Sequence, residues 1–131
     1  METDLVALVA GDTALSALVG TRIAWNAVPQ GEADPNIALF QVVSGAGYTT
    51  HGADDLQRTV VQANIRALTY TSALAVRDAL RARVSGYRGR VGATQFGGIF
   101  IRAERHRSEK PNDILFHQIQ VDIEIWSRSA A

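Results

Sequence analysis

The sequence predicts an α+β fold: an antiparallel sheet of about four strands with helices packed on one face. Two stretches alternate with a period of two. In the first, Thr59, Val61, Ala63, Ile65 and Ala67 oppose Arg58, Gln62, Asn64 and Arg66, with Val60 as the one exception. In the second, Ile119, Val121, Ile123 and Ile125 oppose Gln118, Gln120, Asp122 and Glu124. One apolar and one polar face is the pattern of a half-buried antiparallel sheet. Between these stretches, Ala73, Val76, Leu80 and Val84 recur at helical spacing.

The remaining elements follow in chain order. Thr3 or Asp4 caps a first helix whose inward positions are Leu5, Leu8 and Val9, and Gly11 interrupts it. Asp12 caps a second short helix with Leu15, Leu18 and Val19 inward, and Gly20 stops it. A short strand is expected from Ile23 to Trp25. The prolines, glycine and Asn36 of residues 29–36 read as a loop. Ile37 to Ser44 is an apolar, β-branched strand. Residues 45–55, rich in glycine and polar side chains, read as an extended turn or flexible loop.

Thr71 or Ser72 is the expected cap of the third helix. Arg77, Asp78, Arg81 and Arg83 lie off its apolar stripe, and Gly86 ends it. Gly89 serves the next turn. A further strand runs from about Thr94 to Glu104, with Gly97 and Gly98 marking a bulge or a close backbone approach. Ser108 to Asp113 is a polar turn with a proline.

Length and composition bound the function. At 131 residues the chain is one domain, residues 1–131, and large enough to bury a core unaided. Thirteen basic and thirteen acidic side chains cancel, so no global charge draws the chain to nucleic acid or an anionic membrane. Cysteine is absent, which excludes disulfides, thiolate metal sites and a cysteine nucleophile. No apolar run approaches the roughly 20 residues that span a bilayer. The acidic start Met1-Glu2-Thr3-Asp4 lacks the basic region of a signal peptide, so the chain is expected to stay in the cytoplasm where it is made.

No arrangement of residues points to catalysis. His51 with Asp54 and Asp55 sits on a mobile turn, unlike the rigid set of three or four ligands a metal needs. His117 falls on the inward register of the last strand and reads as a core-edge histidine. No Gly-x-Ser-x-Gly elbow is present, and Gly45-Ala46-Gly47 lacks the Lys-Ser/Thr of a phosphate loop. The basic cluster Arg102-Ala103-Glu104-Arg105-His106-Arg107 alternates faces as a strand end, which argues against one basic patch. No cofactor, metal or catalytic residue is expected, and the chain is read as not an enzyme.

The polar sheet face carries the more informative residues. Arg58 and Arg66 on one strand and Asp122 and Glu124 on another are placed to pair across the sheet or across an interface. Trp126, on the polar register, is a reasonable interface anchor. Candidate subunit or partner contacts are therefore His51, Asp54, Asp55, Arg58, Arg66, Lys110, Asp122, Glu124 and Trp126.

One order of segments goes beyond this. Leu18-Val19-Gly20-Thr21-Arg22-Ile23 is followed by Pro29-Gln30-Gly31 and Pro35-Asn36-Ile37, then by Ser85-Gly86-Tyr87-Arg88-Gly89 and Gly97-Gly98-Ile99-Phe100. The closing strand is Ile119-Gln120-Val121-Asp122-Ile123-Glu124-Ile125-Trp126. This order resembles the tail-completion, or tail-terminator, proteins of long-tailed phages and prophages. The resemblance covers most of the chain but supplies no residue-level motif. It implies a structural protein that forms a ring, commonly a hexamer, at the head-proximal end of the tail tube, ends tube growth and joins the tail to the head connector. It implies the tail tube protein and a head–tail connector protein as partners, no sequence-specific nucleic-acid binding and no membrane. It implies assembly in the bacterial host cytoplasm and residence in the virion tail. If Asp122 and Glu124 line the lumen, they are expected to repel passing DNA. A head–tail connector component, adaptor or stopper, and a small-ligand-binding α+β domain are the alternatives.

Overall fold

Among the described residues, three helices cover one face of a mixed sheet and none covers the other. The computed structural model describes residues 2–20, 22–26, 35–49, 52–109 and 116–129; of residues 43–49, 52–56, 109 and 129 it describes the backbone alone. The elements are α1 (Glu2–Ala10), α2 (Thr13–Val19), β1 (Ile23–Trp25), β2 (Asn36–Thr49), β3 (Gly52–Ala67), α3 (Tyr70–Val84), β4 (Gly89–Val91), β5 (Thr94–Glu109) and β6 (Phe116–Ser129). The sheet order is β1-β2-β3-β6-β5-β4.

This corrects the expectation of about four antiparallel strands. The described residues form a six-stranded sheet in which β1 runs parallel to β2, while the other neighbours are antiparallel. Gly89, expected in a turn, opens the short edge strand β4. The expected strand to Glu104 continues to Glu109, which takes Ser108 and Glu109 out of the expected turn; residues 110–113 of that turn lie outside the described residues.

The largest difference is at residues 45–55. The β2–β3 ladder continues through Gly45↔Arg58 and Ala46↔Gln57 to Tyr48↔Ala53 and Thr49↔Gly52. What reads as a flexible loop is therefore the distal half of a long hairpin. Glycine and polar composition hid it, because strand propensity is overridden when a neighbouring ladder supplies the pairing. Register shifts fall between Gln41 and Val43 and between Ala46 and Tyr48.

The helices pack as their patterns require. Leu5, Leu8 and Val9 of α1, Leu15 and Val19 of α2, and Ala73, Val76, Leu80 and Val84 of α3 are all buried. They meet the alternate residues of β3 and β6, with Ile37, Leu39, Phe96 and Ile99, in one continuous core. Leu18, expected inward, is only partly buried at its margin.

The caps are specific. Asp12 accepts the Leu15 N–H at 3.0 Å and opens α2, and Gly20 closes it at φ +57°. In α3 the cap is Thr69, whose hydroxyl accepts the Ser72 N–H at 3.1 Å. Thr71 and Ser72, the expected caps, lie inside the first turn because Thr69 keeps the extended backbone a cap needs. Thr3 and Asp4 likewise lie inside α1, which begins at Glu2.

Side chains satisfy the orphan carbonyls at helix ends. Arg83 on α3 donates to the Leu8 carbonyl of α1 at 2.8 Å. Arg22 donates to the Leu18 carbonyl of α2 and, at 2.9 Å, to the Pro35 carbonyl before β2. The Trp25 indole N–H donates to the Glu2 carbonyl at 2.9 Å, tying β1 to α1.

The β4–β5 turn is clamped by α1. Val91 pairs with Thr94 around Gly92-Ala93, with Gly92 at φ +56°. The Thr94 hydroxyl donates to Asp4 at 2.6 Å, and a Cβ at Gly92 would collide with that same carboxylate. A left-handed backbone is costly for any residue with a Cβ. Gly92→Ala is therefore expected to destabilise the fold by about 1–3 kcal/mol, read as a lower thermal midpoint; a midpoint within a degree of the parent would refute the clamp.

Candidate functional site

The outer face of the sheet is built by the polar registers of β3, β5 and β6. Arg58 sits opposite Trp126, and Glu124 lies between Val60 on β3 and Phe100 on β5. Arg58 and Arg102 both bind the Glu124 carboxylate, Arg102 at 3.4 Å. Arg105 grips Asp122 through two parallel bonds of 3.1 and 3.0 Å and reaches Gln120 at 3.4 Å. Such forked pairs are the strong form of a guanidinium–carboxylate contact.

A bulge makes this possible. The β5–β6 register shifts between Ile101 and Ala103. Arg102 therefore reaches the face that Arg105 and Arg107 also occupy, while Glu104 and His106 turn toward α3. The basic cluster was expected to split evenly between faces. Instead its three arginines fall on the outer face and its carboxylate and imidazole on the inner one.

The other expected positions are placed as follows. Arg66 pairs with no described carboxylate; its guanidinium lies 3.8 Å above the Phe116 ring. Asp122, opposite Gln62 on β3, is held from the β5 side by Arg105. Trp126 is half-buried on the outer register. Asp54 and Asp55 lie in the distal part of β3. His51 and Lys110 lie outside the described residues.

The inner edge holds a network that the sequence reading missed. Glu104 accepts from Arg77 at 3.0 Å and from Arg81 at 3.0 Å, both on α3. It also bonds the His106 Nε2 at 2.6 Å, and the His106 Nδ1 meets the Tyr70 hydroxyl at 2.6 Å. A carboxylate only accepts, so Nε2 is the donor. Tyr70 packs at a tilt against both His106 and His117, with centroids 5.6 and 5.8 Å away. His117, 3.4 Å from the Ser108 hydroxyl, is half-buried at the core edge. The signal that could have found this network is the i, i+4 spacing of Arg77 and Arg81 on one helix side.

Burial pushes the Glu104 carboxyl up. Hydrogen bonds from His106 and Arg77, with the attraction of both, more than reverse this and hold it below its ordinary range. Arg77 is raised by its hydrogen bond to Asp78, against burial, with Glu104 adding to the rise. Among the described residues no group of three or more acidic, histidine or cysteine side chains is placed to hold a metal. No described helix is long and apolar enough to cross a membrane.

A carboxyl with a depressed folded pKa contributes stability that is full above its unfolded pKa and fades as pH falls through the folded one. Glu104→Gln is expected to lower stability at pH 7 by about 1–3 kcal/mol, measured as a urea midpoint. The gap should narrow below about pH 4, as the parent carboxylate takes up its proton. An equal gap at neutral and acid pH would refute the role of the charge.

The family model described as "Tail completion protein gp17" matches residues 3–128. No curated protein matches the sequence. Among solved structures, a chain from the "Virion of native gene transfer agent (GTA) particle" is similar, with a TM-score of 0.73 and 18% identity. The match covers 98% of this chain and 95% of that one. At that identity the likeness is one of fold.

Proposed function

The chain belongs to the tail completion protein gp17 family, and we propose that it forms a ring at the head-proximal end of a phage-type tail tube, ending tube growth and joining the tail to the head connector. It is a structural protein of the virion tail. The family match over residues 3–128 carries the reading, because it spans every element from α1 to β6.

The geometry supports assembly. The helix layer and the sheet close one core, while the outer sheet face and the β2–β3 hairpin arm remain for contacts with other chains. A head-to-tail contact between unlike surfaces closes into a ring when its rotation divides a full turn. Arg58, Arg66, Asp122, Glu124 and Trp126 on the outer face, and Asp54 and Asp55 on the hairpin arm, are the proposed contact positions. The tail tube protein and a connector protein are the proposed partners, and a hexamer is the proposed ring.

Light scattering over a concentration series, with and without tail tubes, tests this. A mass near six subunits, alone or on tubes, is the expected result. A monomer that ignores tubes at every concentration would refute it.

A further inference from the structure

The outer sheet face is charged in a way that the balanced total conceals. Arg58 and Arg66 on β3, Arg102, Arg105 and Arg107 on β5, and Arg128 on β6 all occupy its register. Arg90 on β4, opposite Gln95, extends the row toward the sheet edge. Asp122 and Glu124 are the only carboxylates there among the described side chains, and three of the arginines already hold them. The acidic positions that were expected to repel DNA are thus neutralised within the chain.

We propose that this face binds the phosphodiester backbone of duplex DNA without reading its sequence. The proposal rests on the charge pattern and does not depend on ring formation. Its centre is a stripe formed by Asn64 and Arg66 on β3, Gln118 and Gln120 on β6, and Arg105 and Arg107 on β5. At these six positions stand three arginines and three side-chain amides. That is the reverse of a protein-docking core, which is depleted in charge and enriched in aromatic anchors.

Spacing and hydrogen bonding agree with a phosphate ligand. Neighbouring strands lie about 4.8 Å apart and same-face residues about 7 Å apart along a strand, so the arginines form a lattice facing a repeating anion. All the cations are arginine, whose planar fork fits phosphate oxygens. The Phe116 ring beneath the Arg66 guanidinium supports its plane while leaving its edges to donate.

The test is fluorescence anisotropy of a labelled duplex against the full chain. Binding at about 50 mM salt is expected, with a log–log salt slope of about −0.9 per phosphate contacted. The double variant Arg66→Gln with Arg107→Gln should shallow the slope by about 2 and weaken binding about tenfold or more. Arg88→Gln, in the turn before β4, should leave both unchanged. Thermal melts verify that each variant folds. Light scattering on the same variants reads ring formation separately, so the two proposals fail independently. No binding at low salt, or a slope that the double variant does not change, would overturn the proposal. Displacement by poly-glutamate as effective as by unlabelled duplex would assign the face to an acidic polypeptide and overturn it as well. Tighter binding of a single strand than of the duplex would overturn the choice of duplex.

Discussion

The rest of the structure depends on the β3–β6 ladder. It runs from Gln57↔Ser127 to Ala67↔His117 without a register shift. Ladders on either side carry shifts, at β2–β3 and at β5–β6. A single slip in the central pair would turn the apolar set of one strand, Val61, Ala63 and Ile65 or Val121, Ile123 and Ile125, out of the core. The uninterrupted register fixes which face the helices cover and which face remains for other molecules. It also sets the spacing at which Arg58 meets Glu124 and Arg66 lies above Phe116.

The helix layer is held by core burial and by arginines that reach between elements. Arg83 joins α3 to α1, Arg22 joins α2 to the start of β2, and Arg77 and Arg81 join α3 to Glu104 on β5. Each supplies a donor to a carbonyl or carboxylate that would otherwise remain partly unpaired. An arginine can do this from the rim of a core because its apolar stem packs while its fork reaches past it. The helix-side charges are consequently absorbed by the fold, whereas those of the opposite face are arranged around a broad open surface.

Much of the fold was legible in the sequence. The two period-2 strands, the three amphipathic helices, the Asp12 cap, the Gly20 stop and the Gly97-Gly98 bulge all stand where residue pattern puts them. These features are local, or repeat often enough to outweigh any single residue. The distal hairpin was not legible, because its pairing depends on partners across the turn and its composition imitates a loop. The short edge strand β4 took its strand character from its neighbour for the same reason, whereas β1 stands at the expected Ile23–Trp25. The outer-face residues Arg58 and Glu124 were legible as a pair because alternation alone sets their face. The Glu104 network was not, since it joins α3 to β5 across distant parts of the chain.

The shift between Ile101 and Ala103 shows how far the charge of a sheet face can hang on one residue without a ladder partner. No glycine or proline marks it, and strict alternation would send Arg102 to the side of Glu104 and His106. With the shift, Arg102, Arg105 and Arg107 share a face and Glu104 is left to the helix arginines. Net charge cannot detect such sorting, because moving a cation from one face to the other leaves the total at zero. The absence of a global charge therefore argues against long-range attraction of the whole chain. It is silent on a surface whose potential is set within about one Debye length, about 10 Å at ordinary salt. Over that distance the outer face acts as a cationic surface on a neutral protein.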